Sequence, residues 1–135
     1  MGADSDSSVE TKPIGTSIAV VDDDQSVGRM LCRVIAAEGF QVQWFRSAEE
    51  FLASSTAADY ACLILDVNLP EMSGVELQQE LNDTGIETPI VFISGQADDT
   101  VRRQVLRDGA ACFLNKPFSI ESLLECLHQS AMARN

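Results

Sequence analysis

Apolar residues in this chain come in short unbroken runs, separated by stretches whose apolar positions recur every three or four residues. The first run is Ser17-Ile18-Ala19-Val20-Val21, and it ends in Asp22-Asp23-Asp24. Val27, Met30, Leu31, Val34 and Ile35 then fall on one helical face, and Gly39 closes that helix. Residues 41–45 read as a second strand, and Ser47 with Glu50 has the spacing of a capping box opening a short helix with Phe51 and Leu52. Residues 62–65 run straight into Asp66, and a turn with Asn68 and Pro70 follows. Ser73 and Glu76 repeat the capping-box spacing for a third helix with Val75 and Leu81 inward, which stops at Thr84-Gly85. Residues 89–94 make a fourth strand, and 97–108 a weaker helix with Arg102, Arg103 and Arg107 on its polar face. Residues 111–115 make a fifth strand, and Ser119 caps a last helix with Ile120, Leu123, Leu124 and Leu127 inward.

Runs without alternation fit strands buried on both faces, and strict alternation with helices implies parallel pairing by right-handed crossovers. The predicted fold is therefore α/β: a doubly wound, five-stranded parallel sheet of order 2-1-3-4-5, flavodoxin-like, in a single domain. Residues 1–16 are polar and rich in Ser, Asp, Gly and Pro, which predicts a disordered leader before a folded domain at 17–130. Residues 131–135 are left as a C-terminal stub or the start of a linker.

Composition narrows the function. A length of 135 residues suits one domain with a core of its own. A formal net charge of −12 argues against nucleic acid or an anionic membrane as a direct partner, and no apolar run is long enough to span a bilayer. The four cysteines (Cys32, Cys62, Cys112, Cys126) include no C-x-x-C pair, and there is one histidine, so zinc spacing is absent. Reduced thiols in a cytoplasmic protein are the expectation.

Open α/β sheets bind ligands beyond the carboxyl ends of their strands. Those ends carry Asp22 and Asp23, then Asp66, then Ser94, then Lys116. Three carboxylates in one crevice repel one another unless a cation intervenes, and oxygen-only donors suit a hard ion such as Mg²⁺. A hydroxyl and an ammonium beside them suit a phosphoryl group. Each residue also has a plainer reading. Asp66 can cap the next turn, Asp22 to Asp24 can serve a helix N-terminus, and Ser94-Gly95 and Lys116-Pro117 can be ordinary loops. Their joint occurrence at successive strand ends favours the site. Three carboxylates stand where a G-x-G-x-x-G fingerprint would follow the first strand, which disfavours a Rossmann-type nucleotide site.

At these residues the chain resembles the receiver domain of a two-component response regulator. The resemblance rests on Val20-Val21-Asp22-Asp23-Asp24, on Leu65-Asp66-Val67-Asn68-Leu69-Pro70 through Met72-Ser73-Gly74, on Ile93-Ser94-Gly95, and on Asn115-Lys116-Pro117-Phe118. The wording Ser47-Ala48-Glu49-Glu50-Phe51-Leu52 is most similar to receivers paired with LuxR-like helix-turn-helix outputs. The resemblance implies that Asp66 is the phosphoacceptor for a sensor histidine kinase. It implies that Asp22, Asp23, Asp66 and the backbone carbonyl of Asn68 hold Mg²⁺. Ser94 and Lys116 are then the phosphoryl contacts, with a cis bond at Lys116-Pro117. Ser94 and Phe113 become the switch pair, although Phe113 also reads as plain core. Asn68 and Gln96 flank the phosphoryl position, where a side-chain amide can orient a hydrolytic water and so tune dephosphorylation.

The helix 4–strand 5–helix 5 surface would carry the signal, with mixed charge (Arg102, Arg103, Arg107, Asp108, Glu121, Glu125) suited either to a two-fold homodimer or to solvent. The output is expected to be a domain or partner that regulates transcription. On this reading the chain is no enzyme in the ordinary sense, since it catalyses only its own phosphotransfer and dephosphorylation. Two rivals remain. A haloacid-dehalogenase-like phosphatase uses an Asp nucleophile but needs a second Asp where Asn68 stands. A pseudo-receiver acting as a pure interaction module would not need the complete acidic site.

Overall fold

The computed structural model describes residues 16–54, 57–96 and 99–132. The strands are β1 (Ser17–Val21), β2 (Gln41–Phe45), β3 (Cys62–Asp66), β4 (Ile90–Ser94) and β5 (Cys112–Asn115). The helices are α1 (Gln25–Ala37), α2 (Ala48–Ser54), α3 (Gly74–Asp83), α4 (Asp99–Arg107) and α5 (Ile120–Met132), with a 3-10 turn at Ala57–Asp59. All four strand pairings are parallel, in the order β2-β1-β3-β4-β5. The predicted 2-1-3-4-5 sheet is the one that forms.

Side chains of successive strand residues point to opposite faces of a sheet, and two apolar layers result. Ala19, Val21, Leu63, Leu65 and Phe92 face Phe51 of α2, Leu77 and Leu81 of α3 and Val105 of α4. Ile18, Val20, Cys62, Ile64, Val91 and Ile93 face Leu31 and Ile35 of α1 and Leu123 and Leu127 of α5. β3 and β4 are buried at every position, which is why their sequences show no alternation. Burying each Leu, Ile, Val or Phe of these strands stabilises the fold by about 1.5–3 kcal/mol.

The helix starts follow their capping residues. Asp24 accepts from the backbone N–H groups of Ser26 and Val27 at 2.8 and 3.3 Å. Ser73 and Glu76 form the full reciprocal box, with bonds of 3.1 and 2.9 Å. The Ser47–Glu50 box forms by half: Ser47 Oγ accepts from Glu50 N–H at 3.0 Å, but Glu50 Oε1 turns to Arg46 N–H at 2.8 Å.

One expectation changes. Ile120, read as inward, is the first residue of α5 and is 49 % exposed, because the buried stripe of that helix begins one turn later at Leu123. On α2, Leu52 is exposed beside buried Phe51. α5 runs on to Met132. The predicted leader, apart from Thr16, lies outside the described residues, as do residues 133–135 and the first two residues, 97–98, of the predicted fourth helix.

Candidate phosphoacceptor site

The carboxyl ends of β1, β3, β4 and β5 bring the predicted side chains to one edge of the sheet. Asp66 is the last residue of β3 and Asp22 follows β1 directly; both are buried. Lys116 follows β5 and places its Nζ 3.2 Å from Asp66 Oδ2 and 3.2 Å from Asp22 Oδ2. Each carboxylate is also fixed by a local backbone donor. Asp24 N–H donates to Asp22 Oδ1 at 2.9 Å, and Asn68 N–H donates to Asp66 Oδ1 at 3.0 Å. Asp23 is exposed, and one oxygen from each of Asp22, Asp23 and Asp66 lies within 4.8 Å of the other two.

The charge balance of this pocket decides its chemistry. Three carboxylates meet one ammonium. Burial pushes the Asp22 carboxyl up from 3.8 to about 6; Asp66 adds to the rise, while the Asp24 backbone bond and Lys116 oppose it. Burial alone would lower the Lys116 ammonium, but the attraction of Asp66 and Asp22 outweighs it and the net shift is upward. A pocket of oxygen donors with surplus negative charge fits a divalent hard cation, with Asp22, Asp23 and Asp66 as the side chains that would hold it.

The backbone around the pocket is tied strand to strand. Lys116 N–H donates to Ser94 O at 2.7 Å, Val67 N–H to Ile93 O at 2.9 Å, and Gly74 N–H to Val67 O at 3.0 Å. The Lys116-Pro117 bond is cis, as the resemblance implies. Ser94, buried at the end of β4, donates its hydroxyl to Gln96 O at 2.8 Å and accepts from Gln96 N–H at 3.2 Å. Asn68 and Gln96 are exposed at the rim. Phe113 is half-buried on β5 and packs on the layer shared with α3 and α4. A cleft of about 370 Å³ opens beside Lys116, walled by Val27, Met30, Gly95, Pro117 and Phe118.

Three further residues shape the site: Trp44 and Gly28, which the sequence reading did not single out, and Gly74, quoted there only within the motif after Asp66. Trp44 Nε1–H donates to the backbone carbonyl of Asp22 at 2.9 Å, holding the acidic turn from the neighbouring strand. Its indole sits where Gly28 of α1 has no side chain; a Cβ there would lie 2.2 Å from Trp44 Cε2. Gly74 does the same for the acceptor strand, since a Cβ would lie 2.3 Å from the backbone oxygen of Asp66. A glycine inside a helix is the one signal that could have marked Gly28, because it costs stability unless close packing requires it.

Sheet order and strand-end chemistry together define a receiver-type α/β domain. The model of the response regulator receiver domain matches residues 18–128, and the chain belongs to that family. TodT, a response regulator protein of Pseudomonas putida F1, is 40% identical over 107 residues, which cover 79% of this chain and 47% of TodT. FixJ, a transcriptional regulatory protein of Rhizobium meliloti, is 32% identical over 115 residues, covering 85% of this chain and 56% of FixJ. The chain thus spans about half the length of these curated relatives. A low-resolution structure of the response regulator StyR superposes with a TM-score of 0.82 at 37% identity, covering 87% of this chain and 59% of that one. The FixJ-N crystal structure gives 0.77 at 33% identity, covering 86% and 93%.

Proposed function

We propose that Asp66 accepts a phosphoryl group from a phosphohistidine of a sensor histidine kinase, and that the chain is the receiving half of a transcriptional response regulator. One observation carries this reading: Asp66 is buried at a strand end, held 3.2 Å from Lys116 and within 4.8 Å of two further acidic side chains. The Asp66 carboxylate attacks phosphorus, the bond from phosphorus to the imidazole nitrogen breaks, and the imidazole leaves. Asn68 N–H and Lys116 Nζ hold the attacking group in place before transfer. Lys116 keeps an ammonium beside the charge that develops on the phosphoryl oxygens. Mg²⁺, held by Asp22, Asp23, Asp66 and the Asn68 carbonyl, would supply the remaining charge neutralisation.

After transfer, Ser94 exchanges its bond to Gln96 O for a phosphoryl oxygen, and Phe113 repacks at the edge of the sheet. Asn68 and Gln96, both exposed at the rim, set the lifetime of the acyl phosphate. The apolar walls Val27, Met30, Pro117 and Phe118 offer the kinase a landing surface beside Lys116. Arg102 and Arg103 on α4 and Glu121 and Glu125 on α5 are exposed, and they support a two-fold homodimer through α4, β5 and α5. The domain works in the cytoplasm and turns over no external substrate beyond its own phosphodonor. Among the described residues no helix is long and apolar enough to cross a membrane.

The test is labelling by acetyl phosphate with Mg²⁺. Wild type is expected to gain one phosphoryl group per chain and Asp66→Asn none; full labelling of that variant at another residue would overturn the assignment. Sedimentation with and without beryllofluoride, a phosphoryl mimic, tests the dimer, which an unchanged monomer at high concentration would exclude.

A further inference from the structure

Four of the five strand ends deliver a side chain to the acidic pocket, and among the described residues the end of β2 delivers none. The junction of β2 with α2 nevertheless touches both loops that carry the carboxylates. Trp44 of β2 bonds the carbonyl of Asp22. Arg46 follows, with its guanidinium carbon 5.2 Å from the centre of the Trp44 ring and its backbone N–H held by Glu50 Oε1. In the first turn of α2, Glu49 Oε2 accepts from the backbone N–H of Met72 at 2.9 Å. Met72 belongs to the loop after Asp66, 23 residues further along the chain.

That loop has two fixed ends. Asn68 N–H bonds Asp66 Oδ1 at one, and Gly74 N–H bonds Val67 O at the other. Between them, Pro70 has no N–H to give, and Glu71 sits at φ 62, a left-handed backbone that a glutamate rarely adopts. Such a backbone persists only where its surroundings hold it. The Glu49 carboxylate supplies a hold at the very next residue. Phe51, on the same helix, shares one apolar layer with Leu69 and Met72 of the loop.

We propose that Glu49 is a positioning residue for the phosphoacceptor site: through Met72 it keeps the loop in the conformation in which the Asn68 carbonyl and Asp66 can serve one divalent cation. The inference rests on the reading of Asp22, Asp23 and Asp66 as a cation site. Glu49 acts through the loop and not as a ligand. Without its bond the loop leaves the competent conformation part of the time, and apparent cation affinity falls with the competent fraction. This role needs an acceptor oxygen at the reach of Glu49, whereas general electrostatic attraction needs only its charge.

Two variants of the full chain separate these roles. Glu49→Gln loses the charge and keeps the acceptor oxygen; Glu49→Asp keeps the charge and is one methylene too short. Mn²⁺ serves as the probe, with free ion measured by electron paramagnetic resonance. Glu49→Asp should bind Mn²⁺ about three- to tenfold more weakly than wild type, and Glu49→Gln within about twofold of it. The Mg²⁺ needed for half-maximal acetyl-phosphate labelling should rise in Glu49→Asp by the same factor. Amide exchange at Met72 should quicken in Glu49→Asp and not in Glu49→Gln. Wild-type Mn²⁺ affinity in Glu49→Asp would overturn the proposal, whatever its urea midpoint, since a purely structural contact moves only the midpoint. Weakening in Glu49→Gln alone would overturn it too, by showing that charge matters and the bond does not. A wild-type chain that binds no Mn²⁺ would instead remove the cation site, and this proposal with it.

Discussion

β3 and β5 belong to one sheet, with only β4 between them, yet they are built differently. Every residue of β3 is buried, and its last residue is Asp66, the proposed acceptor. No residue of β5 is fully buried, and Asn115 at its end is exposed. The neighbouring helices share the contrast. α3 sinks Leu77, Gln78 and Leu81 into the core. α4, among its described residues, sinks only Val105. Its C-terminal end is held largely by amides of α3: Gln78 Nε2 donates to Val105 O at 2.9 Å, and Asn82 Nδ2 to Asp108 O at 3.0 Å. Group transfer needs atoms held in place, and the proposed acceptor sits on a strand buried at every position. A readout needs alternatives of similar free energy, and these exist where few apolar contacts fix the position.

This contrast can be broken or sharpened by measurement. Ile64→Ala in β3 should cost about 3 kcal/mol in urea unfolding, and Leu114→Ala in β5, facing the same layer, about 1 kcal/mol. Equal losses would remove the distinction between centre and edge. The next effect is electrostatic. Asp22 binds its proton more tightly folded than unfolded, so in chelator its contribution to stability is fully present below 3.8 and is lost as pH rises to about 6. Asp22→Asn should therefore gain on wild type across that interval, by about 3 kcal/mol in all, and show no further pH-dependent gain above pH 7. Thermal or urea unfolding between pH 4 and 8 measures this.

Gly74→Ala should cost about 1–2 kcal/mol despite the better helix propensity of alanine, since the new methyl meets the Asp66 carbonyl. It should also slow acetyl-phosphate labelling, whereas Gly95→Ala, with nothing within 4 Å of its Cβ, should leave stability nearly unchanged. The smallest effect falls on the edge. Asn82→Ala should cost about 0.5–1 kcal/mol and speed amide exchange in α4, with exchange in β3 unaltered.

Much of this was legible from the residues. The unbroken runs at 18–21, 62–65 and 90–93 announced buried parallel strands, and the Ser73–Glu76 spacing announced the start of α3. Asp22, Asp23, Asp66, Ser94 and Lys116 could be gathered because parallel topology sends all strand ends to one edge. What stayed hidden depends on packing between distant elements. Nothing in the local sequence says that Gln78, a polar residue, is buried with its amide on α4 while its Oε1 has no partner among the described residues. Nor does periodicity say which end of an apolar stripe overhangs the sheet, which is why Ile120 reads as core and lies outside. Gly28 and Trp44 are explicable only as a pair, one an absence made for the other.

That pair has a practical consequence. Trp44 is the chain's single tryptophan, and its indole N–H is bonded to the carbonyl of Asp22, at the lip of the acidic pocket. Indole emission responds to nearby charge and to the strength of its hydrogen bond. The domain thus carries its own optical reporter, separated from the strand of Asp66 by β1 alone. A titration of cation or phosphodonor can be followed in a fluorimeter on the unlabelled native chain.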